Sequence, residues 1–162
     1  MSDALYAKTV DMPLVAILRG ITPAEAVPVA DALVEKGFIF MEVTLNSPDW
    51  ADSIRQIRAK HGDAILLGAG TVLTPEEVDQ VKEVGGEAII SPNMNPIVIQ
   101  RTKELGMLSI PGCYTPTECF TALDHGADII KIFPADTLGV PFIKAISAVL
   151  PKGTKICPTG GV

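Results

Sequence analysis

At five of its expected helix starts this chain sets a capping residue directly before a proline: Thr22-Pro23, Ser47-Pro48, Thr74-Pro75, Asn95-Pro96 and Thr115-Pro116. A side-chain oxygen in the first position satisfies a free backbone N–H of a new helix, and proline in the second has no N–H to lose. Glu25, Glu77 and Glu118 each follow their cap by three residues, which completes capping boxes. A sixth start, less regular, falls near Gly139 to Pro141. Helix ends are marked as plainly by Gly37, Gly62, Gly85, Gly106, Gly126 and Gly153, where a left-handed residue closes the last turn. Both series recur at a spacing of about 24 residues.

Between each glycine and the next cap lies a short apolar run: 38–45, 64–72, 88–91, 108–110, 129–133 and 155–158, with 14–18 ahead of the first helix. Short β-branched runs that alternate with amphipathic helices predict βαβ units and a parallel sheet buried on both faces. The second helix shows the pattern, with Trp50, Ile54 and Ile57 on one stripe and Asp52, Arg55 and Arg58 expected to face water. Seven strands and six helices of one unit type fit either an open doubly wound sheet or a (β/α)8 TIM barrel. Even repeats favour the barrel, as does the lack of a dinucleotide fingerprint: Gly68-Ala69-Gly70 is followed by Leu73 where a third glycine would stand. Eight such units need roughly 190 residues beyond residue 14. The expectation is therefore one TIM-barrel domain over 1–162, present through strand seven and lacking its last helix-strand-helix.

Composition narrows the function. With 48% hydrophobic residues among 162, disorder is excluded. No apolar stretch approaches a membrane span, and the leader, with Asp3, Lys8 and Asp11, shows no secretory signal. A net charge of -6 argues against nucleic acid as a partner. Cys113, Cys119 and Cys157 lack metal-ligand spacing and read as reduced thiols of a cytoplasmic protein. His61 and His125 each precede a helix-ending glycine and read as solvated helix ends, with no metal site between them. A small molecule is the expected partner.

Chemistry in a barrel sits at the C-terminal ends of its strands, and away from strand entries three charges stand in the apolar runs or at their ends. Lys131 interrupts Ile129-Ile130-Lys131-Ile132-Phe133, where desolvation lowers the pKa of an amine and makes it a nucleophile. The plain alternative is a lysine paired with a carboxylate for packing, but internal charges are seldom kept for stability. Glu42 breaks Phe40-Met41-Glu42-Val43-Thr44-Leu45, and alternation sets Phe40, Glu42 and Thr44 on one face. Arg19 closes Ile17-Leu18-Arg19-Gly20. One amine, one carboxylate and one guanidinium can supply a Schiff-base nucleophile, a general acid/base and an anion clamp. Gly160-Gly161 could cradle a phosphate on backbone N–H groups or form an ordinary turn. Thr71 and Pro92, at strand ends, are further candidate pocket residues.

The sequence resembles the class I pyruvate-dependent aldolases of 2-keto-3-deoxy-6-phosphogluconate and its galactonate epimer, a family that includes 4-hydroxy-2-oxoglutarate aldolase activity. The likeness runs over the whole chain, through Ile17-Leu18-Arg19-Gly20, Glu42-Val43-Thr44-Leu45, Gly68-Ala69-Gly70-Thr71-Val72 and Ser91-Pro92. It continues through Pro111-Gly112, Thr115-Pro116-Thr117-Glu118, Lys131-Ile132-Phe133-Pro134-Ala135 and Pro158-Thr159-Gly160-Gly161-Val162. The resemblance implies Lys131 as the Schiff-base lysine and Glu42 as the proton shuttle. It implies Thr71 near the pyruvate carboxylate, Pro92 and Phe133 in the pyruvate pocket, and Gly160 and Gly161 at the phosphate. It also implies no cofactor, an Entner-Doudoroff-type role in the cytoplasm, and a homotrimer. Arg19 matches an arginine that galactonate-type members use for substrate contact, and Leu45-Asn46-Ser47-Pro48 is of that type, since gluconate-type members have an arginine at the position of Asn46. Thr159, which resembles a threonine that touches substrate hydroxyls, is of the gluconate type. Two other readings stand beside the aldolase: a phosphate-sugar isomerase or decarboxylase with no covalent intermediate, and a catalytically silent binding barrel.

Overall fold

A computed structural model describes Ala7 and residues 12–161; Asp3, Lys8 and Asp11 of the leader and Val162 lie outside the described residues. The seven apolar runs all become strands. In chain order the elements are β1 (Val15–Leu18), α1 (Pro23–Glu35), β2 (Phe40–Thr44), α2 (Trp50–His61), a 3-10 turn (Gly62–Ala64), β3 (Leu66–Gly70) and α3 (Pro75–Glu83). There follow β4 (Ala88–Ile90), α4 (Pro96–Glu104), β5 (Leu108–Ile110), β6 (Gly112–Cys113), α5 (Pro116–Asp124), β7 (Ile130–Ile132), α6 (Ala135–Val149) and β8 (Ile156–Pro158). The additional strand, β6, continues the line of β5 past Pro111, whose ring nitrogen cannot donate to the ladder.

All pairings are parallel, in the order β1-β2-β3-β4-β5 and β6-β7-β8. Backbone bonds carry the sheet across the Pro111 break, with the Asp128 N–H donating to the Ser109 carbonyl and the Lys131 N–H to the Pro111 carbonyl, each at 3.0 Å. The sheet is rolled. Phe40, Leu66, Ala88, Ile90, Leu108, Ile110 and Ile129 form one buried cluster that also takes Val15 from β1 and Cys157 from β8. First and last strands share one cluster because the sheet curls around a common interior, and the architecture is of the TIM-barrel type. No ladder joins β1 to β8 among the described residues. A second apolar layer, led by Ile54, Ile57, Val78, Val81 and Val98, packs the helices on the outside of the sheet.

Thr74, Asn95 and Thr115 cap as expected, their side-chain oxygens accepting from the N–H groups of Glu77, Ile97 and Glu118 at 3.1 to 3.3 Å. At the first helix the Glu25 carboxylate returns to the Thr22 N–H at 3.0 Å. The six glycines expected at helix ends all have positive φ. Two starts differ. Ser47 does not cap α2, which begins at Trp50 after a left-handed Asp49. The Ser47 hydroxyl is buried and accepts instead from the Gly20 N–H at 2.8 Å, because that loop amide competes for it. The last helical stretch opens earlier, at Ala135, but Gly139, with φ 70° and ψ 171°, divides it, and its second part begins near Pro141 as expected.

Three side chains expected in water are also held. Arg58 donates to the carbonyls of Gly85 (3.0 Å) and Gly62 (2.6 Å) and pairs with Glu87, which fixes α2 against the turn before β4. His61 is largely buried, its Nε2 3.0 Å from the Asp31 carboxylate of α1, and His125 Nδ1 lies 2.8 Å from the Thr121 carbonyl. Neighbouring elements cover Arg58 and His61, which periodicity within one helix does not report, whereas His125 turns back onto its own helix.

Candidate active site

The β2 strand is buried along its whole length, and its pleat aims Phe40, Glu42 and Thr44 into the barrel. The register sets Glu42 between Ile17 of β1 and Gly68 of β3. Gly70 is the next residue of β3 on that face, and a Cβ there would fall 2.6 Å from Glu42 Oε1 and 3.0 Å from Thr44 Cγ2. The absence of a side chain at Gly70 is what leaves room for the carboxyl. Glu42 is 2% exposed, and its Oε2 has no hydrogen-bond partner. Burial pushes its pKa up to about 7, against the opposing pull of Lys131 and then Arg19.

Lys131 is the middle residue of β7, flanked in register by Gly112 and Cys157, and only 7% exposed. Desolvation lowers its pKa, which the Glu42 and Cys157 side chains partly restore and the Arg19 charge lowers further. Its Nζ lies 4.9 Å from the centre of the Phe133 ring. The amine and the carboxyl line the same cavity of about 870 Å³, whose other walls include Val15, Ile17, Phe40, Ile90 and Ile110. Such a pair can form and resolve an imine. A nearly desolvated amine loses its proton readily, and a carboxyl that titrates near neutrality both takes and returns one.

Thr159, Gly160 and Gly161 line this cavity with Lys131 and Glu42. The glycines have φ 91° and 71°, and the loop is tied to the start of α6: the Ala135 N–H donates to the Thr159 carbonyl (2.8 Å) and the Asp136 N–H to that of Gly160 (3.0 Å). Phe133 bridges the two groups, since a Cβ on Gly160 would lie 3.3 Å from its ring. Arg19 stands at the rim, lining a shallower depression with Leu18, Gly20 and Glu25. Thr71 and Pro92 follow β3 and β4 at the same end of the barrel but are not part of the cavity wall. Thr71 has φ 62°, a conformation unfavourable for a β-branched residue and a mark of a constrained strand end.

Sequence reasoning did not single out Cys157, which also lines the cavity and whose thiol pKa burial pushes up. Nothing in the run Ile156-Cys157-Pro158 distinguishes it; only the β7–β8 register sets it beside Lys131. Ile90 and Ile110 were legible as core residues but not as pocket walls. Among the described residues no three His, Cys, Asp or Glu side chains gather as a metal site, and no helix is long and apolar enough to cross a membrane.

Residues 6–162 match the KDPG and KHG aldolase family. The 2-dehydro-3-deoxy-6-phosphogalactonate aldolase of Escherichia coli K12 is 48% identical over 151 residues, covering 93% of this chain and 74% of the relative. A solved native KDPGal structure superposes with a TM-score of 0.92 at 48% identity, over 94% of this chain and 74% of that one. A KDPG aldolase of Legionella pneumophila, with pyruvate captured at low pH as a covalent carbinolamine intermediate, gives a TM-score of 0.89 at 32% identity, over 98% and 76% of the two chains.

Proposed function

This chain belongs to the KDPG and KHG aldolase family, and from that premise we propose that it is a class I aldolase acting on 2-dehydro-3-deoxy-6-phosphogalactonate or its gluconate epimer. The observation that carries the reading is the burial of one amine, Lys131, and one carboxyl, Glu42, on the wall of a single, mostly apolar cavity that runs inside the barrel to the Thr159–Gly161 loop. Lys131 Nζ adds to the substrate ketone, and proton transfers through Glu42 expel water to leave a protonated imine. Glu42 then takes the C4 hydroxyl proton. The C3–C4 bond breaks, its electrons pass into the imine as an enamine, and glyceraldehyde 3-phosphate leaves. Protonation of the enamine at C3 and hydrolysis of the imine release pyruvate and restore the amine.

In this reading Arg19 meets the keto-acid carboxylate, Thr71, Pro92 and Phe133 shape the pyruvate end, Thr159 meets substrate hydroxyls, and Gly160 and Gly161 offer backbone N–H groups to the phosphate. The galactonate epimer is favoured by the Escherichia coli relative and by Asn46 after β2; 4-hydroxy-2-oxoglutarate, split to pyruvate and glyoxylate, is a second substrate of the same chemistry. The reading includes a cytoplasmic homotrimer that needs no cofactor, and the exposed Ile97, Tyr114 and Phe120 offer apolar surface for assembly.

Incubation with pyruvate and borohydride, followed by peptide mapping, tests the core of it. A reduced pyruvyl adduct on Lys131 is expected. Its absence from folded protein removes the covalent mechanism and brings forward an isomerase or decarboxylase. Comparing cleavage rates of the two epimers and of 4-hydroxy-2-oxoglutarate then sets the substrate.

A further inference from the structure

Arg19 is an exposed side chain at the barrel rim, with many rotamers open to it, yet a substrate clamp has to hold one position. The loops after β1 and β2 are laced together beneath it. The Gly20 N–H donates to Ser47 Oγ at 2.8 Å, and the same hydroxyl lies 3.1 Å from Thr44 Oγ1 and 3.4 Å from the Leu18 carbonyl. This buried braid fixes the backbone from which Arg19 projects. On top of it, Arg19 Nη1 donates to Asn46 Oδ1 at 3.1 Å. No other hydrogen bond or ion pair engages the guanidinium among the described residues, so Nε and Nη2 remain to meet a carboxylate side-on. The cation also bears on the reacting groups, since its field acts on both Glu42 and Lys131.

We propose that Asn46 is a positioning residue that holds the Arg19 guanidinium toward the carboxylate of the bound keto acid. This rests on the aldolase reading, and on Arg19 as its anion clamp. An amide suits the task because it accepts a hydrogen bond without neutralising the cation; an aspartate would hold the group and cancel its charge. A long arginine loses several rotamers when it binds, and holding it beforehand keeps that loss out of the substrate affinity.

The test uses N46A, R19A and the double variant on the whole chain. Both side chains are exposed, so alanine removes no buried atom. The half-saturating pyruvate concentration for borohydride trapping is read for each, together with KM and kcat for cleavage. N46A is expected to raise half-saturation and KM about tenfold with kcat nearly unchanged, because the contact is equal in ground and transition states. In the R19A background, N46A should add nothing. A wild-type response from N46A beside a weakened R19A overturns the role of Asn46 and leaves the clamp standing, as does a further loss in the double variant. An unaffected R19A overturns the clamp and the positioning role together. Failure of the wild type to trap pyruvate overturns the aldolase reading itself.

Discussion

Glu42, the proton shuttle of the proposed mechanism, is buried at a cost in stability. Its folded pKa of about 7 lies above its ordinary value of 4.5, so protonation favours the folded chain. The stability this group contributes is whole below pH 4.5 and is lost as pH rises through 7. The span corresponds to about 3 kcal/mol at most. Denaturant titrations of wild type and E42Q from pH 4.5 to 8 should show the wild type losing ground that the glutamine variant keeps. Turnover by E42Q should fall by about 10²–10⁴, the ordinary contribution of a positioned acid/base. A variant that is more active at any pH, or no more pH-resistant, would contradict the role assigned to this carboxyl. Lys131 was legible on the same grounds, since a charge inside a β-branched run is visible without any knowledge of the fold.

At the scale of elements, the strand ends and their turns do the positioning. Gly70 belongs to β3 but serves β2, because its missing side chain accommodates the Glu42 carboxyl. Alanine normally improves on glycine inside a strand, but at Gly70 that gain is opposed by crowding against Glu42 and Thr44. In G70A the added Cβ should displace Glu42 and lower kcat by about tenfold or more, as small misplacements of a reacting group do; steady-state kinetics and the pH profile would show it. S47A belongs to the turn after β2. It leaves the Gly20 N–H without its acceptor and should cost about 1–3 kcal/mol in denaturant unfolding. The proline-based expectation of a cap at Ser47 failed here for a physical reason: a hydroxyl bonds to whichever amide the neighbouring loop delivers, and that loop lies 27 residues away.

For the whole molecule, the interior has two contents. Leu66, Ala88, Leu108 and their neighbours are packed together, and beside them runs the cavity that carries Lys131 and Glu42, walled from Val15, Phe40 and Ile156 at the strand starts to Thr159 and Gly161 past their ends. A ligand that enters there touches several strands at once and should stabilise the molecule as a unit. Pyruvate at a hundredfold excess over its dissociation constant should add about 2.7 kcal/mol to unfolding, read as a raised thermal midpoint. In K131M, which replaces the amine with an apolar side chain of similar length, the effect should vanish. A shift that survives in K131M would place pyruvate binding elsewhere.

The amino-acid sequence by itself determined the repeat, the alternation of strands and helices, and the three charges in the strands, because caps, glycine ends and apolar runs act within a few residues of one another. The tertiary structure alone decided who meets whom across the sheet. It set Cys157 beside Lys131, Gly70 under Glu42 and Asn46 against Arg19, and it buried Arg58 and His61 between neighbouring elements. Those contacts follow from register and from the rolling of the sheet, which bring together residues from separate repeats. Local pattern carries no record of such neighbours, since the energy that selects them comes from packing the whole interior at once.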